Sequence, residues 1–120
     1  MQWVTIALFG SFGVLCRYFG VLAAARLLPY PWPTWVVNIL GSFLIGGIYG
    51  MGIAHLASWG PGVVIGFLGG FTTFSAFSLE CFSLLEKHRY GQAALYAVAS
   101  PLAGILCVWM GMTLGRAMGK

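Results

Sequence analysis

The chain reads as an all-α membrane protein: four transmembrane helices per subunit, the third broken mid-membrane, paired as an antiparallel dual-topology homodimer. Composition, the polar residues inside the spans and the balance of loop charge each predict part of this. Apolar residues make up 60% of the chain and charged residues only 7%, with a mean hydropathy of +0.92. A soluble domain keeps its surface hydrated with roughly a quarter of its residues charged, which this chain lacks. Cutting at the polar and Pro-rich points leaves apolar stretches at about 3–28, 34–58, 62–85 and 91–118. Each exceeds the ~20 residues that cross a ~30 Å hydrocarbon core. The punctuation is short: Pro29-Tyr30-Pro31-Trp32-Pro33, then Ser58-Trp59-Gly60-Pro61, then Glu86-Lys87-His88-Arg89-Tyr90. Trp3, Trp32, Trp35, Trp59 and Tyr90 fall near segment ends, where aromatic rings favour the membrane interface. Residues 1–120 are therefore read as a single membrane domain. Residues 1–16 carry no basic side chain, so a cleaved leader is not expected.

In lipid the polar residues carry the information, because each needs a partner or a wet cavity. Arg17 lies midway along the first helix, where an arginine costs ~2.5–3.5 kcal/mol on insertion scales. It is read as an attractor for an anion, as a cap on backbone carbonyls, or as a partner of Glu80. On the second helix Thr34 and Asn38 are four residues apart and share a face, which Ser42 continues by one turn.

The third span holds Gly69-Gly70-Phe71-Thr72-Thr73-Phe74-Ser75-Ala76-Phe77-Ser78 at its centre. Adjacent glycines followed by hydroxyl residues that compete for backbone hydrogen bonds predict a helix break near 69–73. Non-helical backbone survives at membrane depth only when buried in protein or lining a cavity, and the freed carbonyls suit a small cation. Phe71, Phe74 and Phe77 recur every three residues, as along one helix face. A phenyl ring has a positive edge, so such a row can meet a small anion without the trap of a fixed charge. The plainer reading of the same spacing is helix packing. On the fourth helix Tyr96 and Ser100 are again four apart, ahead of Pro101, which is expected to loosen that helix. Glu80 is the one acidic residue inside a span.

Loop charge gives the assembly. One side of the membrane receives Arg116, Lys120 and the terminal amine, the other Arg26, Lys87 and Arg89. Orientation follows an excess of Lys and Arg in cytoplasmic loops, and here the two sides balance. Insertion both ways up is predicted, with a two-fold axis in the membrane plane. Small-residue spacings recur at Ser42/Gly46/Gly50, Gly62/Gly66/Gly70 and Gly111/Gly115/Gly119 and predict close helix packing. Cys16, Cys81 and Cys107 are isolated, and His55 and His88 have no ligand spacing. With no nucleotide loop, nucleophile constellation or metal cluster, neither an enzyme nor a nucleic-acid binder is expected.

The order and spacing of Arg17, Thr34-x-x-x-Asn38, Gly69-Gly-Phe-Thr-Thr-Phe-Ser-Ala-Phe-Ser-x-Glu80 and Tyr96-x-x-x-Ser100 resemble the Fluc family of fluoride channels, also called CrcB. The resemblance covers all four helices, and its Gly-Gly-x-Thr-Thr-Phe-Ser-x-Phe stretch is the specific part. It implies passive fluoride export through two pores at the interface of an antiparallel homodimer in the cell (inner) membrane. It also implies a structural Na+ at the dimer centre, held by the Gly69 and Thr72 carbonyls. Phe74 and Phe77 match the pore phenylalanines, with Asn38 beside them. Thr73, Ser75, Tyr96 and Ser100 match a polar track, Arg17 and Glu80 charged positions near the mouths, and Thr34 belongs to the same motif. Ala76 departs from the family, which often carries a hydroxyl there, and puts pore rate in question. The rivals are a proton-coupled multidrug antiporter, which needs a carboxylate where the first helix carries Arg17, and a non-transporting assembly subunit.

Overall fold

The computed structural model describes residues 1–53 and 58–120. These residues hold helices and no strand, in a body measuring 48 × 31 × 22 Å. Four helical spans, Gln2–Ala25, Trp32–Gly50, Gly62–Glu86 and Tyr90–Met118, are long and apolar enough to cross a membrane. Within the third span, Gly62–Leu68 is wound as a π-helix that runs straight into the turn Gly69–Phe71, and a separate helix covers Phe74–Glu86. We label the helices α1 (Gln2–Ala25), α2 (Trp32–Gly50), α3 (62–71), α4 (Phe74–Glu86) and α5 (Tyr90–Met118).

Helix ends differ from the predicted ones for local reasons. α1 stops at Ala25 rather than 28, because Arg26 and Leu27 already bond three residues back, ahead of Pro29. α2 starts at Trp32, since Pro33 sits in the first turn where its missing N–H is no loss. It stops at Gly50, well short of 58, and Gly52 turns the chain away at φ 74°. The rest of that predicted stretch, and His55, fall in part outside the described residues. α4 ends in a pair of bonds, His88 N–H to Leu85 O and Arg89 N–H to Leu84 O, with His88 at φ 57° where such caps favour glycine. α5 runs unbroken through Pro101, which the bilayer setting tolerates.

The helices pair out of sequence order. α2 lies parallel to α5, and α1 lies parallel to α3. Small residues set both contacts. A Cβ on Gly46 would strike the Val108 carbonyl, and one on Gly111 the Phe43 carbonyl. Gly66 and Gly70 face carbonyls of α1 in the same way, and Gly62 faces the Thr5 and Phe9 side chains. All three small-residue stripes are thus used inside the subunit, where backbones must approach closely because no hydrophobic effect draws helices together in lipid. The interior is correspondingly small: Leu84, Ala93 and Tyr96 form its core, and most large apolar side chains face outward.

Candidate anion groove at the Thr72–Thr73 junction

Thr72 (φ −92°, ψ 156°) and Thr73 (φ −149°, ψ 120°) are extended between the two halves of the third span. The two glycines are not where the backbone leaves the helix. Gly69 has ordinary helical angles and room for a side chain, its nearest contact being 3.9 Å away. Gly70 is needed for a different reason, since a Cβ there would sit 2.6 Å from the Gly10 carbonyl oxygen of α1. Gly69→Ala is therefore expected to leave stability within ~0.5 kcal/mol of wild type, whereas Gly70→Ala forces α1 off α3 and costs about 1–3 kcal/mol of stability. The melting temperature of the detergent-solubilised protein checks both.

Side chains from three elements hold the extended pair. Asn38 Nδ2 donates to the Thr73 carbonyl (3.0 Å), and the Thr73 N–H donates to Asn38 Oδ1 (2.8 Å). The amide copies the pairing of a neighbouring strand and satisfies backbone groups that the helix has given up. Gly41 makes the approach feasible, because a Cβ there would strike the Thr72 methyl. Thr73 Oγ1 accepts the Ala76 N–H (3.2 Å) and so caps α4. Arg17 Nε donates to the Gly70 carbonyl (2.9 Å). Of the readings of Arg17, carbonyl capping is the one the geometry displays, and Arg17 makes no ion pair with Glu80. Glu80 instead accepts from Thr34 Oγ1 (2.5 Å) and Tyr96 OH (2.6 Å), tying α2, α4 and α5 together.

Two carbonyls are left in an unusual state. In a continuous helix the Thr73 N–H would bond Gly69 O, and the Ala76 N–H would bond Thr72 O. Both donors go elsewhere, to Asn38 and to the Thr73 hydroxyl.

All the predicted site residues except Ser75 and Tyr96 divide between two grooves. A groove of about 530 Å³ gathers Asn38, Thr73, Phe74, Phe77 and Ser100, with Gly69 and Thr72 also on its wall. A second, of about 370 Å³, is lined by Arg17, Thr34, Thr73, Ala76 and Glu80. Thr73 belongs to both, so the junction separates a mainly apolar groove with a few polar side chains from one that holds two charged ones. Three further residues lie apart from these groove walls. Phe71 is buried and stacked on Phe67 (5.8 Å, 7°), because the extended residues turn it away from Phe74 and Phe77. Tyr96 is fully buried against Phe77 and Trp32, its hydroxyl committed to Glu80, and it lines neither groove. Ser75 is exposed outside both, 3.3 Å from Thr73 Oγ1. The Ser100 hydroxyl is buried with no hydrogen-bond partner among the described residues. Phe74 is 78% exposed at the groove's rim, a surface suited to a neighbouring subunit or to lipid. Ser42 lies in the groove's wall. The sequence signal for it was its place one turn after Asn38.

The helices and grooves define a multi-pass membrane protein organised around an extended backbone junction. A family model described as CrcB-like protein, Camphor Resistance (CrcB), matches residues 4–112. The chain is 40% identical to the fluoride-specific ion channel FluC of Citrifermentans bemidjiense, over 98% of both chains. It is 44% identical to the fluoride-specific ion channel FluC of a Ruegeria species, over 94% of this chain and 93% of that one. It is 42% identical to the FluC protein of Geobacter metallireducens, over 94% and 95%. The chain belongs to the CrcB family.

Proposed function

We propose that the chain is the subunit of a fluoride-specific channel that exports fluoride from the cytoplasm by passive electrodiffusion and so confers fluoride resistance. The observation that carries the reading is the groove that brings Asn38, Thr73, Phe74, Phe77 and Ser100 onto one cavity. Fluoride is small and strongly hydrated, and its shell has to be replaced by hydrogen-bond donors placed close together. Asn38 has a second amide N–H beyond the one given to Thr73, and the Ser100 hydroxyl is uncommitted. Phenyl edges of Phe74 and Phe77 complete the surroundings with weakly positive C–H groups. Neutral donors admit an anion and also release it, the balance that conduction requires.

The subunit is read as one half of an antiparallel homodimer in the cell (inner) membrane, with a pore along each groove. Balanced loop charge supports both orientations, and the exposed Phe74 rim supports a partner surface. The third helix is read as broken within the bilayer at Thr72–Thr73. A sodium ion at the dimer centre fits the carbonyls of Gly69 and Thr72, since both have lost their helical donors. Bound there, it would supply positive charge to carbonyl oxygens whose helical N–H donors bond elsewhere. Thr72 Oγ1 donates to Leu68 O and takes no part in that role.

Purified protein in liposomes, assayed for fluoride against chloride efflux, tests the reading. Rapid fluoride release with chloride retained is expected. Equal passage of both, or exchange of an organic cation for protons, overturns it. Phe74→Ile separates ring edges from bulk: efflux is expected to fall at least ~10-fold, or ~1.4 kcal/mol, with assembly intact. Unaltered efflux through an assembled Phe74→Ile protein overturns the aromatic mechanism alone.

A further inference from the structure

We propose that Ser42 is a further anion contact of this channel, its hydroxyl turning from the helix backbone to the ion. This rests on the channel reading above. Ser42 follows Asn38 by one turn of α2 and lines the same groove. Its Oγ donates to the Asn38 carbonyl at 2.8 Å. That carbonyl is also the helical acceptor for the Ser42 N–H, so the hydroxyl bond is surplus and its release leaves no backbone group unpaired. The hydroxyl is a rotor, and one turn about Cα–Cβ carries its proton from the carbonyl toward the cavity.

The wall opposite is built to leave that hydroxyl uncovered. Because α2 and α5 run parallel in register, Asn38 and Ser100 lie at one level and Ser42 and Gly104 at the next. Gly104 has no side chain, and a Cβ added there would lie 3.5 Å from Ser42 Oγ. One turn further along, Ile45 and Val108 close the groove with apolar surface. Neutral donors thus run from Asn38 and Ser100 to Ser42 and stop there. An ion leaving the first pair meets a waiting hydroxyl rather than a bare apolar wall. Fluoride gains most from it, because a small anion concentrates its charge on few donors, whereas chloride gains less.

Fluoride efflux from liposomes carrying wild-type, Ser42→Ala and Gly104→Ala proteins tests the proposal. Ser42→Ala is expected to lower efflux by about 10-fold while elution volume and melting temperature stay unchanged. Gly104→Ala keeps the hydroxyl and sets a methyl against it at ordinary contact distance, so it folds, and efflux is expected to fall by about 3-fold or more. An assembled Ser42→Ala protein within about 2-fold of wild type overturns the proposal. If Ser42→Ala does not assemble, Gly104→Ala decides, and undiminished efflux overturns it. Wild-type liposomes that release no fluoride overturn the channel reading as well, a result distinct from either variant's.

Discussion

Asn38→Asp is expected to lower fluoride efflux by about 100-fold or more, equivalent to ~2.7 kcal/mol. The exchange is nearly isosteric, and it acts twice. It removes the Nδ2 donor that holds the Thr73 carbonyl and sets a carboxylate oxygen 3.0 Å from that carbonyl instead. Leaving a buried acceptor unsatisfied costs about 1–3 kcal/mol, more when an oxygen opposes it. The new negative charge also lines the groove that is to carry an anion. Efflux and melting temperature of the purified variant separate the two parts: lost stability reports the junction, and lost efflux at equal stability reports the charge. An Asn38→Asp protein that conducts at more than a third of the wild-type rate and melts at the wild-type temperature would contradict both.

Gly111→Val is expected to abolish assembly. Its Cβ would fall on the Phe43 carbonyl, with the Gly47 nitrogen 2.9 Å away, so both obstacles are backbone. α2 and α5 have to separate to relieve the clash, which loses the largest helix contact among the described residues. A loss above about 4 kcal/mol belongs to this class of change. Gly91→Ala near the start of the same helix is the control, because nothing lies within 4 Å of a Cβ there. Size-exclusion chromatography is the measurement: aggregated Gly111→Val beside monodisperse Gly91→Ala is the expected pair. A monodisperse Gly111→Val protein of normal melting temperature would refute the close contact.

Much of this arrangement is legible in the residues. Length and hydropathy mark the spans. The shared face of Thr34 and Asn38 is used as read, with Thr34 on Glu80 and Asn38 on Thr73. The break is read within 69–73, from glycines that free the backbone and hydroxyls that compete for its bonds. Within that range the backbone leaves the helix at Thr72-Thr73, where hydroxyl and amide groups replace helical bonds, and Gly70 serves close approach to α1. Sequence alone does not separate these two uses of glycine, since they differ only in what the neighbouring helix does. The three-residue spacing of Phe71, Phe74 and Phe77 misled for a related reason, because periodicity defines a face only while the helix continues. Nothing in Gly62–Leu68 announces its π winding. Carbonyl capping by Arg17 is among the readings the sequence allows, whereas the neutral partners of Glu80, Thr34 and Tyr96, are not legible because opposite charges invite pairing.

The out-of-order pairing of α1 with α3 and of α2 with α5 bears on how the chain is made. Ribosomes deliver helices to the bilayer from the N-terminus onward, so α2 enters while Gly111 and Gly115 are still unsynthesised. It waits in lipid with its glycine face bare, and α1 likewise waits for the third span. α1 and α2 are thus threaded across before their principal partners exist. Folding energy arrives too late to choose which way up the first helices lie, and that choice rests on the few flanking charges alone. On the proposed dual-topology reading, a single lysine added to a loop is expected to bias orientation during translation while leaving the contacts of the finished subunit in place.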